Sequence, residues 1–190
     1  MKNAIKKFIL TSAFCALSSL SQAEIKTDNI ITIKTGSFSL SKANQNINAI
    51  NVNFDDAASG VLAIEYERKL RNNMTWGGEI ILYENDYTPG VAYASSTHIF
   101  ANIKKYFAVS KHIQPFIGTG LGGSTVTLGG TGSGSGGTLG FQAMAGISFP
   151  FESVTLLLEY KLINAKPDDD FGTSIDISGN GFFAGVGFKF

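Results

Sequence analysis

Apolar side chains recur at every second position along most of this 190-residue chain. The clearest run is Phe182, Ala184, Val186, Phe188 and Phe190, which alternates with small or polar residues. A period of two places successive side chains on opposite faces of a β-strand, so the pattern indicates strands with one apolar face. Seven strands are predicted, with apolar faces in residues 62–66, 76–82, 97–103, 113–121, 141–149, 154–162 and 182–190.

An eighth strand is predicted first in the chain, from Ile30 to Leu40, where the alternation is poorest. Ile31 and Ile33 share one phase, whereas Phe38 and Leu40 share the other. One extra residue near Gly36 would reconcile the two phases, so we expect a β-bulge there.

The first 23 residues predict a secretory signal peptide. Lysines near Met1 precede an apolar stretch from Phe8 to Leu20, and Ser21-Gln22-Ala23 supplies small residues before the expected cleavage site. The alternative, an N-terminal membrane helix, would need a longer run with less Ser and Thr. Residues 24–190 are expected to form one β-barrel domain without cysteine, since Cys15 is removed with the signal.

Charge and composition exclude several classes of protein. Fifteen basic residues balance fifteen acidic ones, and no basic stretch follows residue 7, so nucleic acid is not an expected partner. A hydrophobic content of 44% is too high for a disordered chain. The single cysteine excludes a disulfide scaffold.

The connections between the predicted strands alternate in length. Short ones are expected at residues 68–73, 108–112 and 150–153, and long polar ones at 41–59, 84–95, 125–138 and 164–179. This asymmetry predicts an all-β fold, an eight-stranded antiparallel transmembrane β-barrel with short periplasmic turns and long extracellular loops. The alternation alone is also compatible with a soluble ligand-binding barrel of lipocalin type, whose apolar faces point inward. The strict alternation up to a terminal aromatic residue favours the membrane barrel.

Two segments resemble small Gram-negative outer-membrane barrels. The run 185–190 resembles their C-terminal insertion signal, here carried by Phe182, Val186, Phe188 and Phe190, and 114–122 resembles a Pro-aromatic-x-Gly-x-Gly strand of OmpA- and OmpX-like proteins. The resemblance implies an integral outer-membrane protein that contacts lipid and lipopolysaccharide and is inserted by the barrel-assembly machinery. The family includes structural anchors, adhesins and serum-resistance proteins, so a host or envelope ligand is expected at the loops.

Charged residues in the inward phase predict a barrel interior filled by paired side chains, because isolated charges inside a closed barrel are costly. Such a barrel conducts little or nothing; a small porin is the alternative. Glu67 and Lys189 are expected to reach water at the barrel ends. The predicted lumen network consists of Glu65, Glu79, His98, Lys104, Glu159 and Lys161.

Candidate chemistry is weak. Ser96 and His98 share a strand face, as a lipid A deacylase would require, but the alternation points both into the barrel, away from lipid, so no enzyme is expected. Gly118, Gly120 and Gly123 match a dinucleotide-binding string, yet no helix can start after them, so no cofactor is expected. Asp168-Asp169-Asp170 lacks the ligand spacing of a Ca²⁺ site, and no metal site is expected.

Overall fold

A computed structural model describes residues 29–41, 44–47, 50–54, 60–88, 92–129, 134–169 and 176–190. The predicted signal peptide lies outside the described residues. In these ranges the chain forms strands β1 (Asn29–Leu40), β2 (Asn44–Ile47), β3 (Ile50–Phe54), β4 (Val61–Lys69), β5 (Met74–Thr88), β6 (Ala92–Tyr106), β7 (Gln114–Gly129), β8 (Gly134–Pro150), β9 (Val154–Asn164), β10 (Asp168–Asp169) and β11 (Gly179–Lys189). No helix in the described ranges is long and apolar enough to cross a membrane.

Eight of these strands close into an antiparallel barrel, in the order β1, β4, β5, β6, β7, β8, β9, β11 and back to β1. The seam between the first and last strands is paired to its end, since Asn29 and Phe190 exchange backbone hydrogen bonds of 3.2 and 3.0 Å. Closure satisfies the backbone groups that an open sheet edge would leave free. The predicted eight-stranded antiparallel barrel is confirmed.

Strand β1 contains no bulge near Gly36, so that expectation was wrong. Its pairing with β11 runs without interruption from Ile30 opposite Lys189 to Leu40 opposite Gly179. Phe38 therefore keeps the phase of Lys34 and points into the barrel, where both side chains are buried. The two apolar phases in this strand arise because Ile31 and Ile33 face outward while Phe38 fills the interior.

Burial alternates along the barrel strands as a barrel with an apolar outer face requires. In β9, Glu159 and Lys161 are buried, whereas Leu158 and Leu162 are about half exposed on the outside. The outer face carries a belt of exposed apolar side chains, which includes Ile64, Trp76, Ile80, Ile99, Ile103, Ile117, Leu121, Phe141, Leu156, Leu158, Leu162 and Phe182. The inner face carries most of the buried charge.

The two ends of the barrel differ. At one end the strands join through short turns, and Asn72 and Asn73 in the β4–β5 turn adopt positive φ values that asparagine tolerates. At the other end β5 and β6 pair as far as Tyr87 opposite Ala92, and β7 and β8 pair as far as Leu128 opposite Gly134. We call these extensions, with β2, β3 and β10, the hairpin end.

Much of the sequence expected to form long loops is thus strand. The segments 84–95 and 125–138 are mostly paired, and β2 and β3 form a hairpin within 41–59. The prediction missed these strands because Ser, Thr and Gly residues beyond the apolar belt show no apolar alternation, while backbone pairing needs none. The predicted short turns and long connections keep their places along the chain.

Candidate functional site

The barrel interior is filled by side chains in three layers. A charge layer occupies the middle and consists of Lys34, Glu65, Glu67, Glu79, Asn102, Lys104, Gln142, Glu159 and Lys161. Toward the hairpin end lies an apolar layer, Phe38, Val61, Ala63, Ile81, Tyr83, Ala94, Phe100, Val126, Ile163, Ala165, Ile177 and Phe183. Toward the short turns lies a basal layer of Phe116, Met144, Leu157 and Tyr106.

Strand register brings the acids of the charge layer together. Glu65 on β4 lies directly opposite Glu79 on β5, a like-charged pair that would destabilise the sheet without a cation between them. Lys34 supplies that cation from β1. Its Nζ lies 2.6 Å from Glu65 Oε2 and 2.9 Å from Glu79 Oε1.

Two further lysines complete the network. Lys104 Nζ lies 2.6 Å from Glu65 Oε2 and 2.8 Å from Glu67 Oε1. Lys161 contacts Glu79 and lies 2.8 Å from Glu159 Oε1. Lys34 also donates to Glu159 over 3.1 Å, and the contact of Lys161 on β9 with Glu79 on β5 connects strands on opposite sides of the barrel. Three ammonium groups thus hold four carboxylates in one connected layer.

Neutral donors supply the bonds that the lysines leave open. Asn102 Nδ2 donates to Glu65 and Glu79 over 3.2 Å each, and Gln142 Nε2 donates to Glu79 over 3.1 Å. The hydroxyls of Thr75 and Tyr106 donate to Glu67 over 2.7 and 2.9 Å. Charges with this many donors can remain buried, because the lost hydration is replaced by hydrogen bonds.

The inward glycines make room for the long side chains. A Cβ at Gly118 would lie 2.8 Å from Lys104 Cγ, and one at Gly120 would lie 2.1 Å from Asn102 Oδ1. These glycines are the first two of the dinucleotide-binding string. Strand β7 continues past Gly123 to Gly129, so the helix that such a site needs is not formed there.

His98 lies in the apolar layer and does not join the ion pairs. Its Nδ1 lies 2.7 Å from Ser124 Oγ and its Nε2 lies 3.1 Å from Tyr83 Oη. Tyr83 in turn donates to the carbonyl of Ile177 over 3.2 Å. One consistent assignment is a chain in which Ser124 donates to Nδ1, Nε2–H donates to Tyr83, and Tyr83 donates to Ile177.

These hydrogen bonds bear on the lipid A deacylase alternative, which would pair His98 with Ser96. His98 uses both ring nitrogens on Ser124 and Tyr83, and not on Ser96. Ser96 and His98 are 2% and 0% exposed inside the barrel, so neither is presented to a substrate on the outer face. The hydrogen bonds connect β5, β6 and β7 with the segment that leads into β11, and they stabilise the barrel toward its hairpin end.

Of the six predicted network residues, the structure brings five together, Glu65, Glu79, Lys104, Glu159 and Lys161, and places His98 apart from them. Glu67 is held by Lys104, Thr75 and Tyr106 at 3% exposure, and it also lines a cavity that opens at the short-turn end, so its expected contact with water stays a prediction. Lys189 is half-buried at the rim and donates to the carbonyl of Phe151.

Sequence reasoning missed Lys34, which contacts three of the four acids. The two apolar phases of β1 obscured it, although Ile31 and Ile33, which face outward, place Lys34 inward with or without a bulge at Gly36. The even-numbered run Thr32, Lys34 and Phe38, read without a bulge, is the signal that identifies it.

The residues of the predicted insertion signal lie on the outer face of β11 and at its end. Phe182 is 67% exposed and Val186 is 39% exposed, while Phe188 and Phe190 are half-buried. The Phe182 ring packs against Tyr160, with 4.7 Å between ring centroids. Their role in insertion stays a prediction.

A cavity of about 160 Å³ opens at the short-turn end and reaches the charge layer at Glu67. Its lining also includes Thr75, Tyr106 and Leu157. Lys104, above this cavity, lies over the Phe116 ring at 5.1 Å, and Lys161 lies over Phe183 at 5.4 Å, so cation–π contacts join the three layers. The described residues contain no cluster of three or more His, Cys, Asp or Glu that could hold a metal ion.

The chain shares its fold with solved outer-membrane proteins. It aligns with Neisserial surface protein A at a TM-score of 0.66 and 15% identity, over 88% of this chain and 100% of that one. The chain has the fold of the small outer-membrane β-barrels. OprG from Pseudomonas aeruginosa aligns at a TM-score of 0.66 and 13% identity, over 89% of this chain and 98% of OprG.

A third similar structure is Ail, the attachment invasion locus protein of Yersinia pestis, in complex with the heparin analogue sucrose octasulfate. It aligns at a TM-score of 0.55 and 12% identity, over 86% of this chain and 98% of Ail. The sequence matches no protein-family model and no curated protein. At these identities the alignments report the fold alone.

Proposed function

We propose that this protein is a small outer-membrane barrel with a closed lumen that presents binding hairpins at the cell surface. The observation that carries the proposal is the charge layer, in which Lys34, Lys104 and Lys161 cross the lumen to acids on other strands. Side chains fill an eight-stranded interior and leave no room for transport through it. Function is then left to the parts that project beyond the membrane.

The outer surface supports a membrane location. Its belt of exposed apolar side chains is large for a soluble protein and suits lipid. We infer that residues 1–23 direct export, that the barrel-assembly machinery inserts residues 24–190, and that the belt contacts lipid and lipopolysaccharide. Retention in outer-membrane fractions after carbonate washing tests the location, and release with soluble proteins would refute it.

The insertion signal has its own test. Changing Phe190 to Asp should block insertion rather than only destabilise the barrel. Normal amounts of Phe190→Asp in outer membranes would contradict the signal, whereas a matched change at the hairpin end, Asp168→Asn, should insert normally.

The hairpin end has a charge that restricts its partner. In sequence, the connections between the strands at this end carry Asp55, Asp56, Glu84, Asp86, Asp168, Asp169 and Asp170 against Lys42, while the buried Asp176 pairs with Lys166 at 3.6 Å. Ail was solved with a sulfated heparin analogue. An acidic surface repels such a polyanion, so we propose a host or envelope partner with a basic face.

Binding by intact cells tests this partner class. Cells that display the wild-type protein should adhere to a polylysine surface more than cells without it, and not to immobilised heparin. The variant Asp168→Asn, Asp169→Asn, Asp170→Asn should lose most of the adhesion, while Lys111→Gln at the short-turn end should retain it. Equal adhesion of the triple variant would refute the hairpin end as the binding surface.

Lipid deacylation and transport are the competing functions. If the protein were a lipid A deacylase, wild-type protein would deacylate lipid A, and Ser96→Ala or His98→Ala would abolish that activity. Our proposal expects no such activity in the wild type. A small porin would conduct ions through the cavity at the short-turn end. Conductance measurements separate that case from ours.

A further inference from the structure

The short-turn end carries cations without matching acids. We call the residues Arg68, Lys69, Arg71, Lys105, Lys111 and Lys189 the basic rim; within the described part of the chain, Glu152 is the acidic side chain of the turns at this end. Four of the six are exposed and the other two are half-buried. The hairpin end is acidic, so the two ends have opposite charge.

The basic rim also carries exposed apolar side chains. Each short turn contributes at least one: Leu70 is 47% exposed, Val109 is 72% exposed, and Phe151 is 54% exposed. Trp76 lies directly opposite Arg68 in the sheet and is 49% exposed. Cations beside Trp and apolar side chains are typical of the headgroup level of a bilayer, where the apolar parts enter lipid and the charges meet phosphate.

An apolar groove of about 500 Å³ lies on the outer wall at the level of the charge layer, where Lys34 borders it. Small outward residues on β1 and β11, Thr35 and Ala184, lie between larger ones, among them Leu62, Phe149 and Leu158. From Leu62 the outward positions of β4 continue through Ile64 and Tyr66 to Arg68. At about 3.3 Å per residue, Arg68 lies roughly 20 Å along the strand from Leu62 in the groove, which suits the length of an acyl chain.

We propose that the basic rim binds an anionic phospholipid of the leaflet that faces the short turns. Its phosphate is held at Arg68, Arg71 and Lys105, and one acyl chain lies in the groove at Ala184. The cations attract the phosphate, and the groove selects a ligand that carries a chain rather than free phosphate. This inference rests on the proposed membrane location.

The test uses the full mature barrel in vesicles of phosphatidylcholine with one-fifth phosphatidylglycerol. Insertion is checked first, by the shift of the unboiled band on a gel and by protection from protease. Failure at this step would refute the membrane location. For inserted protein, the phosphatidylglycerol that remains bound after detergent extraction is then counted by native mass spectrometry.

We expect wild-type protein to retain phosphatidylglycerol over phosphatidylcholine. The variant Arg68→Gln, Arg71→Gln, Lys105→Gln should weaken that preference about tenfold or more, since each cation near an anionic surface contributes attraction. The matched control changes three charges at the hairpin end, Asp168→Asn, Asp169→Asn, Asp170→Asn. It should keep the preference for phosphatidylglycerol.

Two further arms locate the lipid. Ala184→Phe fills the groove and should reduce retention while the rim charges stay intact. Inorganic phosphate at the vesicle lipid concentration should not displace the lipid. The proposal is overturned if wild-type protein shows no preference, if the triple rim variant binds like wild type, or if free phosphate competes fully.

Discussion

The charge layer and the apolar layer fill neighbouring sections of one lumen by opposite means. In the charge layer, Lys34 and Glu65 are both 0% exposed and lie 2.6 Å apart as an ion pair. In the apolar layer, Phe38 and Ile81 are equally buried and depend on packing. A packed apolar side chain tolerates the loss of a methyl group, whereas a buried ion does not tolerate the loss of its partner. The comparison predicts where the barrel is fragile.

Removing a lysine from the charge layer should have the largest effect. Lys34→Ala leaves Glu65, Glu79 and Glu159 short of a cation and should cost about 3–5 kcal/mol of the free energy of unfolding. Urea unfolding in lipid vesicles measures it. The control Lys111→Ala removes an exposed turn lysine and should change stability by less than about 0.5 kcal/mol.

Lys104→Ala should show a similar loss, and it offers a way to sharpen the comparison. Adding Glu67→Gln to Lys104→Ala removes one of the acids left unpaired, so the double variant should be more stable than the single one. If Lys104→Ala unfolds at the same urea concentration as wild type, water already solvates the layer and the dry-network account fails.

Breaking the hydrogen bonds that join His98, Tyr83 and Ile177 should have an intermediate effect on stability. Tyr83→Phe removes the hydroxyl that lies between His98 and the Ile177 carbonyl. His98 Nε2 and the Ile177 carbonyl oxygen, both buried, then lose this hydrogen-bond partner. We expect a loss of about 1–3 kcal/mol. Hydrogen exchange of the Ile177 amide, which donates to Ala165, should accelerate, while that of the Val186 amide should accelerate less. Unchanged exchange at Ile177 would contradict the stabilising role of these hydrogen bonds.

The apolar layer should show the smallest effect. Ile81→Val removes one methyl group from a fully buried site and should cost about 0.5–1.5 kcal/mol. Ile99→Val, on the outer face, is the matched control, since its side chain is 58% exposed to the surroundings. A loss at Ile81 as large as that at Lys34 would break the comparison between the layers.

Much of the fold could be predicted from the sequence, because period-two alternation records which face of each strand is apolar and points outward. The phases of Glu65, Glu79 and Lys161 follow from it directly. Lys34 was missed because Phe38 mimics an outward apolar residue in β1, although Ile31 and Ile33 place Lys34 in the inward phase. The partners of His98 depend on cross-strand register and rotamers, which one sequence does not encode locally. The strand extensions were missed because their residues meet no apolar environment.

The basic rim shows a different limit. Arg68, Lys105 and Lys189 stand far apart in the sequence and lie at the same end of the barrel because of the way the strands are arranged. Sequence composition reports a balance of fifteen basic and fifteen acidic residues and does not show that the cations of the basic rim share one end.

Ion conductance of the purified wild-type protein in planar bilayers tests the closed lumen most directly. Because Lys34, Lys104 and Lys161 cross the interior to their acids, we expect no steady conductance at any applied voltage that the bilayer withstands. Insertion in the same preparation is verified by the shift of the unboiled band on a gel. Steady openings of nanosiemens size from inserted protein would mean an open pore and would contradict the account.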